Sequence, residues 1–300
     1  LTIDSQIPVA YEKGEGYLNH VQIIGLAGGH SGTEIDKNRE NANKLAGRIL
    51  YGINRDFNIK LCCIKGGLKD NAIPREAEFS FLVVDDCMNS IEKVLEKLEK
   101  EIKDEFPLEE HLKIIFNQDK FVKKDVLDKQ SLQKIITALI TMPNGVQRRN
   151  EERKGLVETS LNIGILELNH SLRMTQSIRS VKESSKQYVA NQVTQLVKML
   201  GGSVKTSGNY PGWEYLKNSN LRESFILQYK KLYGKEPVIQ AIHAGLECGI
   251  WASKIKGLDC VSFGPDIEDI HTPKERMSIS SVQRTWELLL RVLEEDVLFI

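Results

Sequence analysis

Five short segments hold most of the residues able to do chemistry. In GGHSGTEID (28–36), backbone N–H groups, a serine hydroxyl and His30 stand at the start of a helix, which suits an anion or a developing oxyanion. A glycine-rich turn with a solvent-exposed histidine is the competing reading. GGLKDNAIPREAEF (66–79) offers Asn71 and Arg75 as ligand-facing groups, or a turn entering a strand with Arg75 ion-paired. NYPGW (209–213) is a rigid turn with aromatic anchors or a domain junction. In IHAGLECG (242–249), a strand passes into a short helix, so His243 and Glu247 sit four residues apart on one face. Such a pair suits metal or substrate, and equally a capping histidine beside a buried glutamate. His271 lies in SFGPDIEDIHTPKERMSI (262–279) among Asp266, Glu268, Asp269 and Glu275, surroundings that suit a divalent cation or a solvated acidic loop. Neither HExxH nor CxxC spacing occurs.

The elements that must position these residues show in the hydrophobic periodicity. Residues 20–26 predict a strand, and Ala42, Leu45, Ala46, Ile49, Leu50 and Ile53 recur at helical spacing. Strands at 58–64 and 77–84, a helix along Ile91, Val94, Leu95, Leu98 and Ile102, and a strand at 111–117 complete a β-α-β-β-α-β order. That is a split βαβ unit, an antiparallel sheet with two helices on one face. Leu45, Ile49, Phe79, Phe81, Val94 and Leu98 are its expected core. A helix along 132–139, strands at 156–166 and 171–181, a helix ending at Gly201-Gly202 and a strand at 203–208 partly repeat the order. From about 213, helices alternate with strands at 237–242 and 258–263, implying a parallel α/β sheet that needs more strands than this stretch supplies. The expected organisation is therefore a remnant of an α/β domain at 1–17, an inserted α+β lid of two split-βαβ-like halves at 18–212, and further α/β domain at 213–300.

Composition narrows the function classes. With 41 Lys+Arg against 41 Asp+Glu in 300 residues, the net charge is zero, which argues against nucleic acid or an anionic membrane as partner. No apolar run is long enough for a membrane span. Asp4, Glu12, Lys13 and Glu15 interrupt any signal-peptide core, and five cysteines do not form a disulfide framework, so a cytoplasmic chain is expected. Leu1 rather than Met opens it, as in a piece of a longer chain.

Together, GLAGGHSG, ENANKLAGRIL, GGLKDNAIPREA, MPNGV, GLVETSLNIG, SIRS, NYPGW, IHAGLECG and SFGPDIEDIHTPKERMSI are far more specific than any one alone. In this order and spacing they resemble the aminoacyl-histidine (Xaa-His) dipeptidases, carnosinase-like cytosolic dinuclear zinc metallopeptidases, over about residues 18–297. The resemblance implies a zinc-peptidase α/β domain interrupted by a lid, with two Zn2+ activating a bridging water against a dipeptide bond. It further implies that His30 helps hold the oxyanion and that Asn162 and Arg179 recognise the substrate carboxylate. Asn71, His243 and Glu247 are the remaining candidate substrate contacts, and His271 and Asp4 match metal ligands. A homodimer is compatible with it. The family's HxD pair, bridging Asp and Glu-Glu pair have no counterpart here, so the chain alone is expected to be inactive. The alternative is a non-catalytic binding or dimerisation module derived from the lid.

Overall fold

Strands whose inward residues alternate with polar outward ones, joined by amphipathic helices, build the larger part of the protein. A computed structural model describes residues 1–151, 156–239, 247–268 and 274–295. It divides into two compact units, Leu1–Tyr210 and Pro211–Ile300.

The first unit contains, in chain order, β1 (Thr2–Pro8), β2 (Tyr11–Ile24), β3 (Gly29–His30), α1 (Ala42–Asp56), β4 (Lys60–Gly66), β5 (Ala72–Ile73), β6 (Ala77–Val83), α2 (Met88–Glu105), β7 (Lys113–Leu127), α3 (Lys129–Thr141), β8 (Gly145–Arg149), β9 (Val157–Leu168), β10 (Ser171–Ser180), α4 (Glu183–Met199) and β11 (Ser203–Ser207). The main sheet runs β11-β1-β10-β9-β4-β6-β2-β7, with β8 added alongside β9 and every pairing antiparallel. Two halves of the same topology are visible in it. In the first, β4-β6-β2-β7 is served by α1 and α2; in the second, β9-β10-β1-β11 is served by α3 and α4.

Residues 1–17, expected to belong to the other domain, are instead part of this sheet. β1 lies between β10 and β11 with Ile3, Ser5 and Ile7 buried, and it is the leading strand of the second half. The whole first half is therefore spliced between β1 and α3. Hydrogen bonds close the splice: Ala10 N donates to Ser131 Oγ at 2.8 Å and Asp128 N to Ala10 O at 3.0 Å.

All four helices contribute to one apolar core with the sheet, through Leu45 and Ile49 of α1, Ile91 and Leu95 of α2, Ile135 and Leu139 of α3, and Val193 and Val197 of α4. Phe79 and Phe81 lie in the same core. Val94 and Leu98 are only half-buried, because the inward line of α2 runs through Ile91, Leu95 and Ile102.

The halves meet where β4 pairs with β9 over two residue pairs, Lys65↔Glu167 and Gly66↔Leu166. Beside this short ladder, α1 lies against the end of α3. Lys44 Nζ donates to Leu139 O, Ile140 O and Met142 O at 2.6, 3.0 and 2.8 Å, satisfying carbonyls that the helix itself leaves free. Burial lowers the Lys44 pKa to about 8.

The second unit contains α5 (Asn220–Tyr233), α6 (Glu247–Lys254), the short hairpin of β12 (Ile267–Glu268) and β13 (Arg276–Met277), and α7 (Ile279–Glu294). Phe225, Leu288 and Val292 form its core. Residues 258–263, expected as a strand, make no ladder pairing among the described residues, since a strand needs a neighbour to complete its hydrogen bonds. Of the other expected strand, 237–242, residues 240–242 lie outside the described residues.

Candidate functional site

The glycine-rich loop after β2 is held at both ends by one carboxylate. Buried Glu109 accepts Ala27 N at 2.7 Å and Glu40 N at 3.0 Å. Between those anchors, β3 pairs antiparallel with β5, setting His30 opposite Ala72, and Ser31 N donates to Asn71 O at 2.9 Å. His30 and Asn71 thus come from two loops clipped together. His30 is half-buried, and its Nδ1 accepts from Gly32 N at 3.2 Å and Thr33 N at 3.1 Å. The Asn71 side chain is exposed.

The second loop is pressed onto β9. A Cβ at Gly164 would lie 2.5 Å from Asp70 Cα, so no side chain fits there. Asn162, expected to bind a substrate carboxylate, is 1% exposed and fully committed within the protein. Its Nδ2 donates to Asp70 O at 3.0 Å and Ala72 O at 2.8 Å, and its Oδ1 accepts from Asn41 Nδ2 at 3.1 Å. A carboxylate could not take those bonds without freeing the loop, so Asn162 acts by positioning Asp70–Ala72. Asn41 also caps α1, accepting from Asn43 N and Lys44 N, and Asn144 Oδ1 accepts from Ile163 N at 3.0 Å. Asn41 and Asn144 lie in motifs already noted, ENANKLAGRIL and MPNGV, but nothing in their spacing shows that they meet Asn162 across the joint.

Arg179, near the end of β10, is half-buried. Its Nε is buried and has no hydrogen-bond partner among the described residues. Burial lowers its pKa from the ordinary guanidinium value, while the nearby Asp70 opposes that shift. A desolvated guanidinium N–H of this kind is strongly attracted to a carboxylate or other oxyanion.

Another cleft, of about 680 Å3, opens beside Asn162 and carries Arg39, Lys44 and Arg148. Its basic lining is largely committed. Arg39 pairs with Glu34, Lys44 with the three carbonyls of α3, and Arg148 with Glu151 and Glu158.

The expected metal ligands fare differently. Asp4 sits mid-way along β1, where its Oδ1 accepts from Thr175 Oγ1 at 2.7 Å and pairs with Arg173 at 3.4 Å. It is a rung in a cross-strand polar ladder, which corrects its assignment as a ligand. His271 and His243 lie outside the described residues. Glu247, exposed, opens α6 in the second unit. Among the described residues, no three His, Cys, Asp or Glu side chains are grouped to hold a metal ion. No helix among them is long and apolar enough to cross a membrane.

Comparison with known proteins brings these features together. The family described as the peptidase dimerisation domain matches residues 22–110, most of the first half of the sheet. The chain is 36% identical over 274 residues to the cytosol non-specific dipeptidase of Escherichia coli (strain K12), a match covering 91% of this chain and 56% of that protein. The crystal structure of aminoacylhistidine dipeptidase from Vibrio alginolyticus superposes with a TM-score of 0.90 at 32% identity, covering 98% of this chain and 61% of that one. Over nearly its whole length the chain is thus similar to these dipeptidases, and part of it to the peptidase dimerisation domain. It spans a little over half the length of the family members it matches. In this chain the segment matching the dimerisation domain is paired, through β4 and α1, with the second half of the same chain.

Proposed function

We propose that this chain supplies the substrate-recognising lid of a cytoplasmic, metal-dependent dipeptidase acting on Xaa-His dipeptides. The observation that carries the reading is Arg179, whose buried Nε has no hydrogen-bond partner among the described residues and suits the terminal carboxylate of a dipeptide. His30, on the adjoining loop, supplies a hydrogen bond to the carbonyl oxygen as negative charge develops there. Asn162 keeps the loop bearing Asn71 against β9. Zinc, two ions per complete site, comes from the family resemblance. The described residues do not provide a ligand set for it, so the contribution proposed for this chain is recognition and charge stabilisation. A homodimer is part of the same proposal, resting on the match to the dimerisation domain.

Calorimetric titration of the purified chain with glycyl-histidine and with its C-terminal amide tests this reading. The free dipeptide should bind at least about tenfold more tightly than the amide, roughly 1.4 kcal/mol, and Arg179→Met should remove the difference. Equal binding of the two, or an unchanged preference in Arg179→Met, would refute carboxylate recognition. The chain alone is expected to show no zinc-dependent turnover.

A further inference from the structure

The loop around His30 contains more order than a glycine-rich turn needs. Glu34 is at its centre. Glu34 Oε2 accepts the backbone N–H of His30 at 2.9 Å, and Oε1 accepts from Lys37 Nζ at 2.8 Å and lies 3.1 Å from Arg39 Nη1. Arg39 Nη1 also donates to Gly28 O. Asn38, at φ 53° in the left-handed region, turns the chain just before Arg39. Gly29 leaves room for this carboxylate: its φ is 139°, and a Cβ there would sit 2.7 Å from Glu34 Oε2.

The imidazole reads out that arrangement. Gly32 N–H and Thr33 N–H both point at Nδ1, and Thr33 Oγ1 lies 3.3 Å from it. A backbone N–H can only donate, so Nδ1 must offer its lone pair, and the proton of the neutral ring sits on Nε2. We propose that Glu34 is a positioning residue for His30, closing the 30–34 turn so that two backbone donors hold the ring as the Nε2–H tautomer. His30 then presents a fixed donor, whereas a freely turning ring would offer a donor or an acceptor at the same place. The use of that donor on a substrate oxygen rests on the function proposed above; the tautomer and its dependence on Glu34 do not.

The test is NMR of the full chain labelled with 15N, read through ring-nitrogen shifts and couplings across hydrogen bonds. In the unmodified protein, Nε2 should carry the proton, and Gly32 or Thr33 backbone nitrogen should couple to Nδ1. Glu34→Ala should abolish the coupling and leave the ring proton shared between both nitrogens. Glu34→Gln, whose amide oxygen can still accept the His30 N–H, should restore it. Gly29→Ala, which displaces the carboxylate without removing its charge, should resemble Glu34→Ala. A proton on Nδ1 in the unmodified protein, or an undiminished coupling in Glu34→Ala, would overturn the proposal. The measurement on the unmodified protein decides the tautomer even where a variant fails to fold. Failure of dipeptide binding would leave these spectra unchanged, so the two proposals fail separately.

Discussion

The two halves of the sheet share a topology but differ in their connections. In the first half, the route from leading strand to helix is the long loop 25–41, and the β4–β6 connection is the loop 67–76, itself carrying β5. In the second half, the β9–β10 connection is the tight turn at Asn169-His170, and the route from β1 to α3 is the entire first half. Reach explains the division of labour. A two-residue hairpin cannot leave its own sheet edge, whereas the long loops of the first half fold over β9 and place His30 and Asn71 beside the second half. The second half contributes polar side chains from its strands, the buried Asn162 and the half-buried Arg179. The site is thus built at the joint.

The contrast can be broken most severely at Asn162. Asn162→Ala would take the side-chain donor from Asp70 O and Ala72 O and leave the Asn41 amide only Asn144 and Ile163 O as acceptors, and urea unfolding should show a loss of about 3 kcal/mol. The matching change at the short turn, Asn169→Ala, should stay within about 0.5 kcal/mol, since Asn169 is exposed and its Nδ2 meets only Glu167. Equal losses would mean that the long loop is not held by Asn162. Gly164→Ala forces a methyl into the backbone of Asp70 and should cost about 2 kcal/mol by the same measurement, with the shift changes confined to 67–73 and β9. Lys44→Met, which uncaps α3 at the joint, should lose about 1–2 kcal/mol and speed amide exchange at the end of that helix first.

The smallest expected effect is acid sensitivity in the first-half loop. Hydrogen bonds from Lys37 and then from the His30 backbone, with Arg39 nearby, lower the Glu34 pKa from 4.5 to about 2. The unfolded chain therefore binds this proton more readily than the folded one. Glu34 contributes stability that is complete above about pH 4.5 and is lost as pH falls through about 2. Glu34→Gln should flatten that part of the stability curve, and an unaltered acid limb would show that the carboxylate carries no such stabilisation.

Much of this was legible in the residues. The β-α-β-β-α-β order of the first half, the helical stripes of α1 to α4 and the hairpin of β9 and β10 follow from local periodicity, which needs only neighbours a few residues apart. The start of the chain misled because the partners of β1 are β10 and β11, some 160 to 205 residues away, and nothing local announces them. Asp4 misled for the same reason. An Asp before an inserted domain resembles a ligand until Thr175 and Arg173 are seen beside it. Asn162 was found as a position but its use was not, because a side-chain amide between two strands can serve a ligand or a loop equally well.

By itself the sequence determined most element types of the first unit, the charge balance and the motifs shared with the aminoacyl-histidine dipeptidases. Tertiary structure alone decided that β1 completes the second half, that Asn41, Asn144 and Asn162 meet across the joint, and that Asp4 is spent on a polar ladder. The physical reason is the range of the forces involved. Periodicity and capping act within a few residues, whereas the fate of a buried hydrogen-bonding group depends on which distant strand the fold brings against it.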